Sequence, residues 1–447
     1  MAGFGDDRLF AQASERLIQW LISNGASISN KIQLADLRTQ GAGRGVVATE
    51  NINEDEELFR IPRSLIFTAE NSSLPSNIRE QINDPWLSLI AAMADDQLRE
   101  STKWQPYWDV MPEHFDTLMF WSSDELALLQ GSAVVAKIGK ESADKAFNEH
   151  IIPLVGQHNH ANKNDLLALC HKMGSTIMAS AFDLEAPERE RPQEGEEDWE
   201  EDDEDSAVMA KGMVPLADML NADADRNNAK LFYEDEFVAM KAIKAIQPGS
   251  EIFNDYGPLP QADVLRRYGY TTQNYAKYDV VEISLDLIRA AVQQQTGLST
   301  AALEERTEYL DGHGILDDGY DIARRENEDG QFPEELCLLL AALLLPPADF
   351  DKMKTKDKLP KPDWTPEMQN LMYGILVRRR AMYDFDEPRI EQLTGRPKMA
   401  ASVVHGEKLV LQEAADAVQA MSAGASNKRK ADTFLDEARS LREGSKR

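Results

Sequence analysis

The spacing of apolar residues changes several times along the 447-residue chain, and these changes constrain the fold more than any single motif. Between Ile28 and Thr68, apolar and polar residues alternate around short polar turns, which is typical of β-hairpins. Helical spacing follows from about 69 to 174, strand-like spacing resumes at Met213, and helical spacing returns after about Leu285. Separate strand-rich and helix-rich stretches predict an α+β fold.

The expected domains are residues 1–68 and 175–284 with strands, 69–174 and 285–425 with helices, and 426–447 as a polar tail. Residues 185–205 contain thirteen Asp and Glu side chains among twenty-one residues. Such a run cannot bury enough apolar surface to fold by itself, so we predict a disordered surface loop. The loop either attracts a basic substrate or is a solvated insertion without a function of its own.

The net charge of −30 at pH 7 bears on the partners of the chain. A surface this acidic argues against a broad contact with nucleic-acid phosphates, so we expect no direct nucleic-acid partner. It favours a basic protein partner, because the electrostatic field accelerates their encounter. The alternative is that the acidic residues only keep the protein soluble.

Several features of the sequence bear on the cellular compartment in which the protein works. No stretch approaches the ~18–20 apolar residues needed to span a bilayer, and no secretory signal is visible, so we expect an intracellular protein without a membrane partner. With only Cys170 and Cys337, the chain has neither a disulfide framework nor a thiolate zinc site. Lys428–Lys430 is a short basic cluster that predicts nuclear import, with the cytoplasm as a second expected location; the alternative is an ordinary solvated terminus.

Two patterns resemble metal sites, but neither is complete. Asp223, Asp225, Asn227 and Glu234 are spaced like the ligands of an EF-hand loop. However, Asn228 replaces the glycine that the sharp turn requires, and strands rather than helices are expected on both sides. Four histidines could suggest a metal cluster, but Cys170 is the one cysteine near them, too few for a thiolate site; they are His150, His158, His160 and His171. We therefore predict no metal.

Four short motifs occur in a fixed order along the strand-rich stretches. They are Gly43-Arg44-Gly45, then Asp218-Met-Leu-Asn221-Ala222, then Glu251-Ile-Phe-Asn-Asp-Tyr256-Gly257, and finally Leu265-Arg-Arg-Tyr268-Gly269-Tyr270. Glycines at the start of a strand let the backbone approach a ligand closely. Each motif alone is a weak signal, because a Tyr-Gly pair is usually a core aromatic residue beside a turn. The ordered set is far more specific.

This set resembles the SET-domain protein lysine methyltransferases, in particular the subgroup of Rubisco large-subunit methyltransferase and the fungal ribosomal lysine methyltransferases. Trp104–Tyr107 and Phe120–Leu126 are similar to the helical insert of that subgroup. Arg396–Ala400 and Gly406–Lys408 are similar to its C-terminal domain. The resemblance implies a SET domain of small curled β-sheets with a knot-like active site, a helical insert, and an all-α C-terminal substrate-binding domain.

The resemblance also implies the reaction and its residues: methyl transfer from S-adenosyl-L-methionine to a protein lysine, with Tyr256 as the catalytic residue. The cofactor would contact Ala42, Gly43, Arg44, Gly45, Ser180, Asn221, Ala222 and Tyr256. The substrate would contact Asp218, Tyr268 and Tyr270. Two positions depart from the family pattern: Ala222 stands where most SET domains have His, and Ser180 where the subgroup usually has Arg.

The expected substrate is a basic protein of the large ribosomal subunit, methylated by a monomeric enzyme. A transcription factor or another nuclear protein is the alternative target with the same chemistry. The competing class is a SET fold that lost turnover and only docks a partner; Ala222 favours this reading, and the retained Tyr256 opposes it.

Overall fold

The computed structural model describes residues 4–185, 210–327, 330–386, 389–422 and 431–445. The predicted acidic loop lies outside the described residues except for Glu185, and so does the basic cluster Lys428–Lys430. The chain divides into two units. The first unit contains residues 1–119 and 139–257, and the second contains residues 120–138 and 258–447.

The strands are β1 (Ser27–Ile28), β2 (Ile32–Asp36), β3 (Arg44–Ala48), β4 (Glu57–Pro62), β5 (Ala181–Leu184), β6 (Ala210–Met213), β7 (Ala229–Tyr233), β8 (Phe237–Ala242), β9 (Glu251–Ile252), β10 (Val280–Ser284) and β11 (Gly319–Ala323). In the first unit they form a sheet in the order β1-β4-β8-β7, a second in the order β2-β3-β9, and the pair β5-β6. All pairings are antiparallel.

The α-helices are α1 (Phe4–Ser23), α2 (Ser76–Arg79), α3 (Pro85–Gln97), α4 (Gln105–Trp108), α5 (Ser123–Leu126), α6 (Lys140–Ala146), α7 (Gln157–Asn159), α8 (Lys163–Ser180), α9 (Gln261–Tyr268), α10 (Leu285–Thr296), α11 (Thr300–Asp311), α12 (Glu334–Leu344), α13 (Pro347–Thr355), α14 (Pro366–Ala381), α15 (Gly395–Ser422) and α16 (Ala431–Ser445). A π-helix at Phe147–Gly156 connects α6 to α7. None of the described helices is both long and apolar enough to cross a membrane.

The first unit has one apolar core that joins its sheets to its helices. Strand β4 buries Phe59 and Ile61 on one face, as alternation along a strand predicts, and Leu58 is buried as well, next to an irregularity in the pairing of β4 with β8. Helix α3 is buried along most of its length and packs on α8. Its N-terminus is capped by Asp84, whose side chain accepts the Leu87 N–H at 2.8 Å. This core fixes the strand ends that carry the candidate site.

The second unit is mostly helical and contains the pair β10-β11. Its core lies around α14, where Leu371, Met372 and Ile375 are buried, and α15 packs along the same helix. The segment 120–138 belongs to this unit: Arg396 donates to the Phe120 carbonyl at 3.1 Å. The predicted α+β class is confirmed.

The structure differs from the predicted domains at four places. The two units meet in sequence at residues 257/258 rather than 284/285, and 120–138 separates from the rest of the helical stretch. The predicted polar tail contains α16, which is a helix because Phe434 and Ala438 fall on one face and are buried in the core of the second unit. Residues 1–68 begin with the long helix α1.

Candidate active site

The Gly43–Gly45 motif lies where the loop between β2 and β3 enters β3. Gly45 is buried in a place with no room for a side chain. A Cβ there would lie 2.4 Å from Leu37 Cδ1, 2.9 Å from Glu251 Oε1 and 3.1 Å from Asn221 Nδ2. Gly43 is exposed, and a Cβ there would meet no described atom within 4 Å. Close packing therefore restrains the backbone at Gly45, whereas the backbone at Gly43 is accessible to a ligand.

Asn221 connects this strand to the third motif. Its Nδ2 donates to Glu251 Oε1 at 2.6 Å and to the Arg44 carbonyl at 3.3 Å. Burial raises the pKa of Glu251, although the hydrogen bond from Asn221 opposes the rise. Glu251 was not among the predicted site residues; its place at the head of the third motif, on β9, was the available signal.

The segments of Asn221 and Tyr256 lie side by side. Asn254 N donates to the Asn221 carbonyl at 2.9 Å, and Asp223 N donates to the Asn254 carbonyl at 3.1 Å. These bonds make a parallel bridge between Ala222 and Asn254. Two stretches about thirty residues apart in sequence thus become neighbours through their backbones. The bridge does not depend on the side chain of Ala222.

Tyr256 is half-buried just beyond this bridge, and its hydroxyl donates to the Ala179 carbonyl at 3.4 Å. Ala179 precedes Ser180, the last residue of α8. The tyrosine hydroxyl therefore lies beside the segment that holds Ser180. Gly257 follows with φ of +76°, a conformation that glycine adopts without strain, and its N–H donates to Asp255 Oδ1 at 2.7 Å.

The side chain of Arg44 turns toward the N-terminal helix. Its guanidinium donates to the Val110 carbonyl at 2.7 Å and to Ser14 Oγ at 3.1 Å. The same group lies 3.7 Å from the centre of the Phe10 ring. Burial, followed by the charge of Arg38, lowers the pKa of Arg44 to about 10. Among the predicted cofactor contacts, Arg44 can thus contribute its backbone, while its side chain is engaged by the protein.

Asp218 has its carboxyl group buried, with Oδ2 accepting a hydrogen bond from the Tyr107 hydroxyl. Burial raises the pKa of Asp218 to about 8, against the lowering effect of that hydrogen bond. The carboxyl group faces the interior of the first unit, although it was expected near the substrate. Sequence reasoning did not identify Tyr107 as its partner, because the two residues are 111 positions apart.

Tyr268 and Tyr270 belong to the second unit. Tyr268 ends α9, Gly269 caps the helix with φ of +78°, and the two tyrosine rings lie 6.4 Å apart. Burial raises the pKa of Tyr268. Both side chains are half-buried, and they form one aromatic pair.

The described residues contain no group of three or more His, Cys, Asp and Glu side chains placed to hold a metal ion. The acidic residues that imitate an EF-hand have other partners: Asp223 pairs with Arg226 at 2.6 Å, and Asp223 Oδ1 accepts the Asp225 N–H at 3.0 Å.

Comparison with known proteins identifies this arrangement. Residues 43–257 match the family model of the SET domain. Ribosomal lysine N-methyltransferase 4 of Saccharomyces cerevisiae is 32% identical over 361 residues, which are 75% of this chain and 72% of that protein.

The chain belongs to the SET-domain lysine methyltransferases.

Two further comparisons extend the likeness along the chain. N-lysine methyltransferase SETD6 of Homo sapiens is 27% identical over 412 residues, covering 83% of this chain and 84% of that protein. The crystal structure of the SET domain of LSMT bound to lysine and AdoHcy superposes with a TM-score of 0.68 at 17% identity, covering 92% of both chains. The SET fold with a helical C-terminal region, as implied by the resemblance, is confirmed.

Proposed function

We propose that this protein transfers a methyl group from S-adenosylmethionine to a lysine of a basic protein of the large ribosomal subunit. One observation carries the proposal: the first unit joins the Gly45 strand, the Asn221 segment and the Tyr256 segment through direct hydrogen bonds. These are the elements from which the SET-domain enzymes build their methyl-transfer site.

The residues of this chain fit the methyl donor. The exposed backbone at Gly43 leaves room for a ligand, and the packing around Gly45 keeps that backbone rigid. We infer that the donor is held by Ala42, Gly43, Gly45, Ser180, Asn221, Ala222 and Tyr256, with Arg44 contributing its backbone. When bound, S-adenosylmethionine supplies an electrophilic methyl group on a positively charged sulfur.

The substrate lysine must lose its proton before it can accept the methyl group. A free lysine has a pKa near 10.4, so presenting the neutral amine at pH 7 costs roughly 4–5 kcal/mol. Enclosure among apolar and aromatic side chains lowers that pKa, because burial disfavours the charged form. We assign Tyr256 the task of orienting the amine. Its O–H points to the Ala179 carbonyl, so lone pairs on the same oxygen can accept an amine N–H.

Two observations support a basic ribosomal substrate. The chain carries a net charge of −30, which attracts a basic partner. The relative from S. cerevisiae is named as a ribosomal lysine methyltransferase and matches three quarters of this chain. Nuclear location stays a prediction that rests on the sequence, and localisation of a fluorescent fusion with and without Lys428–Lys430 tests it.

The test is a methylation assay with S-adenosylmethionine that carries a radiolabelled methyl group. The acceptor is purified large ribosomal subunits from cells that lack this enzyme, and Tyr256→Phe is the control. We expect one labelled protein band with the wild-type enzyme and none with the variant. Mass spectrometry of the band then gives the lysine and the number of methyl groups.

Small subunits and a nuclear extract from the same cells are incubated in parallel. Label that appears only in the nuclear extract would leave the chemistry intact and overturn the ribosomal substrate. No label in any fraction, from protein that binds no S-adenosylmethionine, would overturn the proposed function.

A further inference from the structure

We propose that Phe10 of α1 is a positioning residue: its ring holds the Arg44 guanidinium and so fixes the Gly43–Gly45 backbone for the methyl donor. The proposal rests on the proposed function, since it assigns the donor to that backbone. The observation behind the proposal is that α1 packs on Arg44, the residue between the two glycines of the motif.

Arg44 is held from several directions. Its guanidinium carbon lies 3.7 Å from the centre of the Phe10 ring, within the range of a cation–π contact. Nε donates to Ser14 Oγ at 3.1 Å, and Nη2 donates to the Phe10 carbonyl at 3.4 Å. Nη1 donates to the Val110 carbonyl at 2.7 Å. The Phe10 ring, one turn of α1 and the Val110 carbonyl thus determine together where this side chain lies.

The same ring also reaches the other side of the β2–β3 loop. The guanidinium carbon of Arg38 lies 4.3 Å from the Phe10 ring centre. Arg38 is bound to the Asp36 carboxylate, with Nε at 2.9 Å from Oδ1, and Asp36 pairs with Arg44 across the two strands. Phe10 therefore contacts an arginine at each end of the loop that contains Ala42 and Gly43.

The position of Arg44 is transmitted to the site by its own backbone. The Arg44 carbonyl accepts a hydrogen bond from Asn221 Nδ2, and the next residue, Gly45, is packed against Leu37. A rotation of Arg44 would move the peptide that Asn221 holds. Gly43 has no such packing of its own; its carbonyl accepts the Leu37 N–H at 2.9 Å, and the anchored Arg44 side chain adds a second restraint on the backbone at that side.

Phe10 is separable from the docking of α1. The helix is attached to the core by Ala13, Leu17 and Leu21, which are buried, whereas Phe10 is only half-buried. Trp20 adds a ring contact with Trp104 at 5.6 Å. Removing the Phe10 ring should therefore leave the helix in place and loosen the loop alone.

The experiment measures the affinity for S-adenosylhomocysteine by calorimetry, with kcat, KM and the melting temperature of each variant. Phe10→Leu keeps an apolar side chain and removes the aromatic face, and Phe10→Tyr retains that face. Leu9→Ala is the matched control, because Leu9 is the preceding residue of the same helix and is 65% exposed.

We expect Phe10→Leu to weaken binding by about fivefold, the size of effect that one partly exposed cation–π contact gives. KM for S-adenosylmethionine should rise in step, while kcat at saturation and the melting temperature stay near the wild-type values. Phe10→Tyr should restore affinity, and Leu9→Ala should bind like the wild type.

Equal affinity of Phe10→Leu and the wild type would overturn the proposal, as would a loss in Phe10→Leu that Phe10→Tyr does not recover. A loss of affinity that parallels a fall in melting temperature, or that appears equally in Leu9→Ala, would show that Phe10 serves only in packing. Either result would also overturn the proposal. Wild-type protein that does not bind S-adenosylhomocysteine would instead overturn the proposed function.

Discussion

Asn221 shows how one residue can join three parts of the candidate site. Its side-chain amide donates to Glu251 and to the Arg44 carbonyl, and its backbone carbonyl accepts the Asn254 N–H. Ala222 completes the same bridge with backbone groups. The replacement of the usual His by Ala222 therefore removes an imidazole without removing this connection, which argues against a fold that has lost its site.

Tyr256→Phe removes one hydroxyl from the site and keeps the ring. If that oxygen orients the amine, kcat should fall by about a hundredfold or more, as expected when a positioned proton-bearing group is lost. The affinity for S-adenosylhomocysteine should change little, because the backbone bonds of the neighbouring segments remain. Single-turnover methylation and calorimetry measure the two quantities.

Tyr233→Phe is the matched control, because it removes a hydroxyl that donates to another backbone carbonyl of the first unit, that of Asp183 at 2.8 Å. A Tyr256→Phe enzyme with undiminished turnover would contradict the assigned role. So would a loss of turnover explained entirely by weaker cofactor binding.

At the scale of elements, the sequence predicted what local patterns determine. The strand-like spacing that resumes at Met213 corresponds to the hairpin of β7 and β8, and the helical spacing predicted from about 69 to 174 contains a capping box between Ser122 and Glu125. The helix that follows this box is only four residues long, because the chain tightens into a 3₁₀ turn at Ala127–Leu129. Helix α1 was missed, although Ala13, Leu17 and Leu21 repeat at helical spacing.

Two helical glycines should respond oppositely to alanine. A Cβ on Gly374 of α14 would meet no described atom within 4 Å, so Gly374→Ala should raise the unfolding free energy by about 0.5–1 kcal/mol through helix propensity. A Cβ on Gly406 of α15 would lie 1.9 Å from Asp279 Oδ2, so Gly406→Ala should lower it by about 1–3 kcal/mol. Denaturant unfolding measures both, and equal effects would contradict the packing described for α15.

A buried carboxyl group on α15 should make stability depend on pH. Glu407 accepts hydrogen bonds from Ser132 Oγ at 2.7 Å and from the Tyr383 hydroxyl at 2.8 Å. Arg379 and Asp279 are the charged groups that act on it. Burial raises the pKa of Glu407 from 4.5 to about 7.

Because the folded state keeps this proton while the unfolded state loses it, stability should fall as the pH rises from about 4.5 to about 7. The shift corresponds to a loss on the order of 3 kcal/mol. Glu407→Gln should flatten this decline in melting temperature, and Glu437→Gln, at an exposed position of α16, should not. A decline that is equally steep in Glu407→Gln would refute the assignment.

For the whole molecule, the family resemblance implied that Asn221 and Tyr256 belong to one site, but neither the resemblance nor physical reasoning from the sequence named Glu251 or Tyr107 as a contact. The contact of Asn221 with Glu251 spans 30 positions, and the bond between Tyr107 and Asp218 spans 111. Neither contact leaves a trace in local periodicity, since both depend on how the sheets and helices pack. The resemblance named Arg44 as a cofactor contact, but it could not indicate that the Arg44 side chain turns toward α1.

The charge of the whole chain predicts how its encounter with a basic substrate depends on salt. Association should be fast at low ionic strength and slow down as salt is added, because screening shortens the range of attraction. Deleting 186–205 should reduce both the low-salt rate and its salt dependence, since the deletion removes twelve acidic and two basic residues. Stopped-flow association with the substrate protein measures the rates.

A second variant replaces the segment with an uncharged linker of the same length, and it separates the effect of charge from the effect of chain length. Rates that do not change with the deletion at any ionic strength would assign the segment no part in the encounter.

The segment 120–138 has a consequence for how the protein is made and dissected. It emerges from the ribosome well before Arg396 and Glu407, to which Glu125 and Ser132 bind in the finished protein. A chain stopped at residue 257 would present Trp121 and Leu129 without the second unit, although both side chains are buried in the complete protein. Neither unit is therefore a contiguous gene fragment, and separate expression of the two would have to graft this segment onto the C-terminal half.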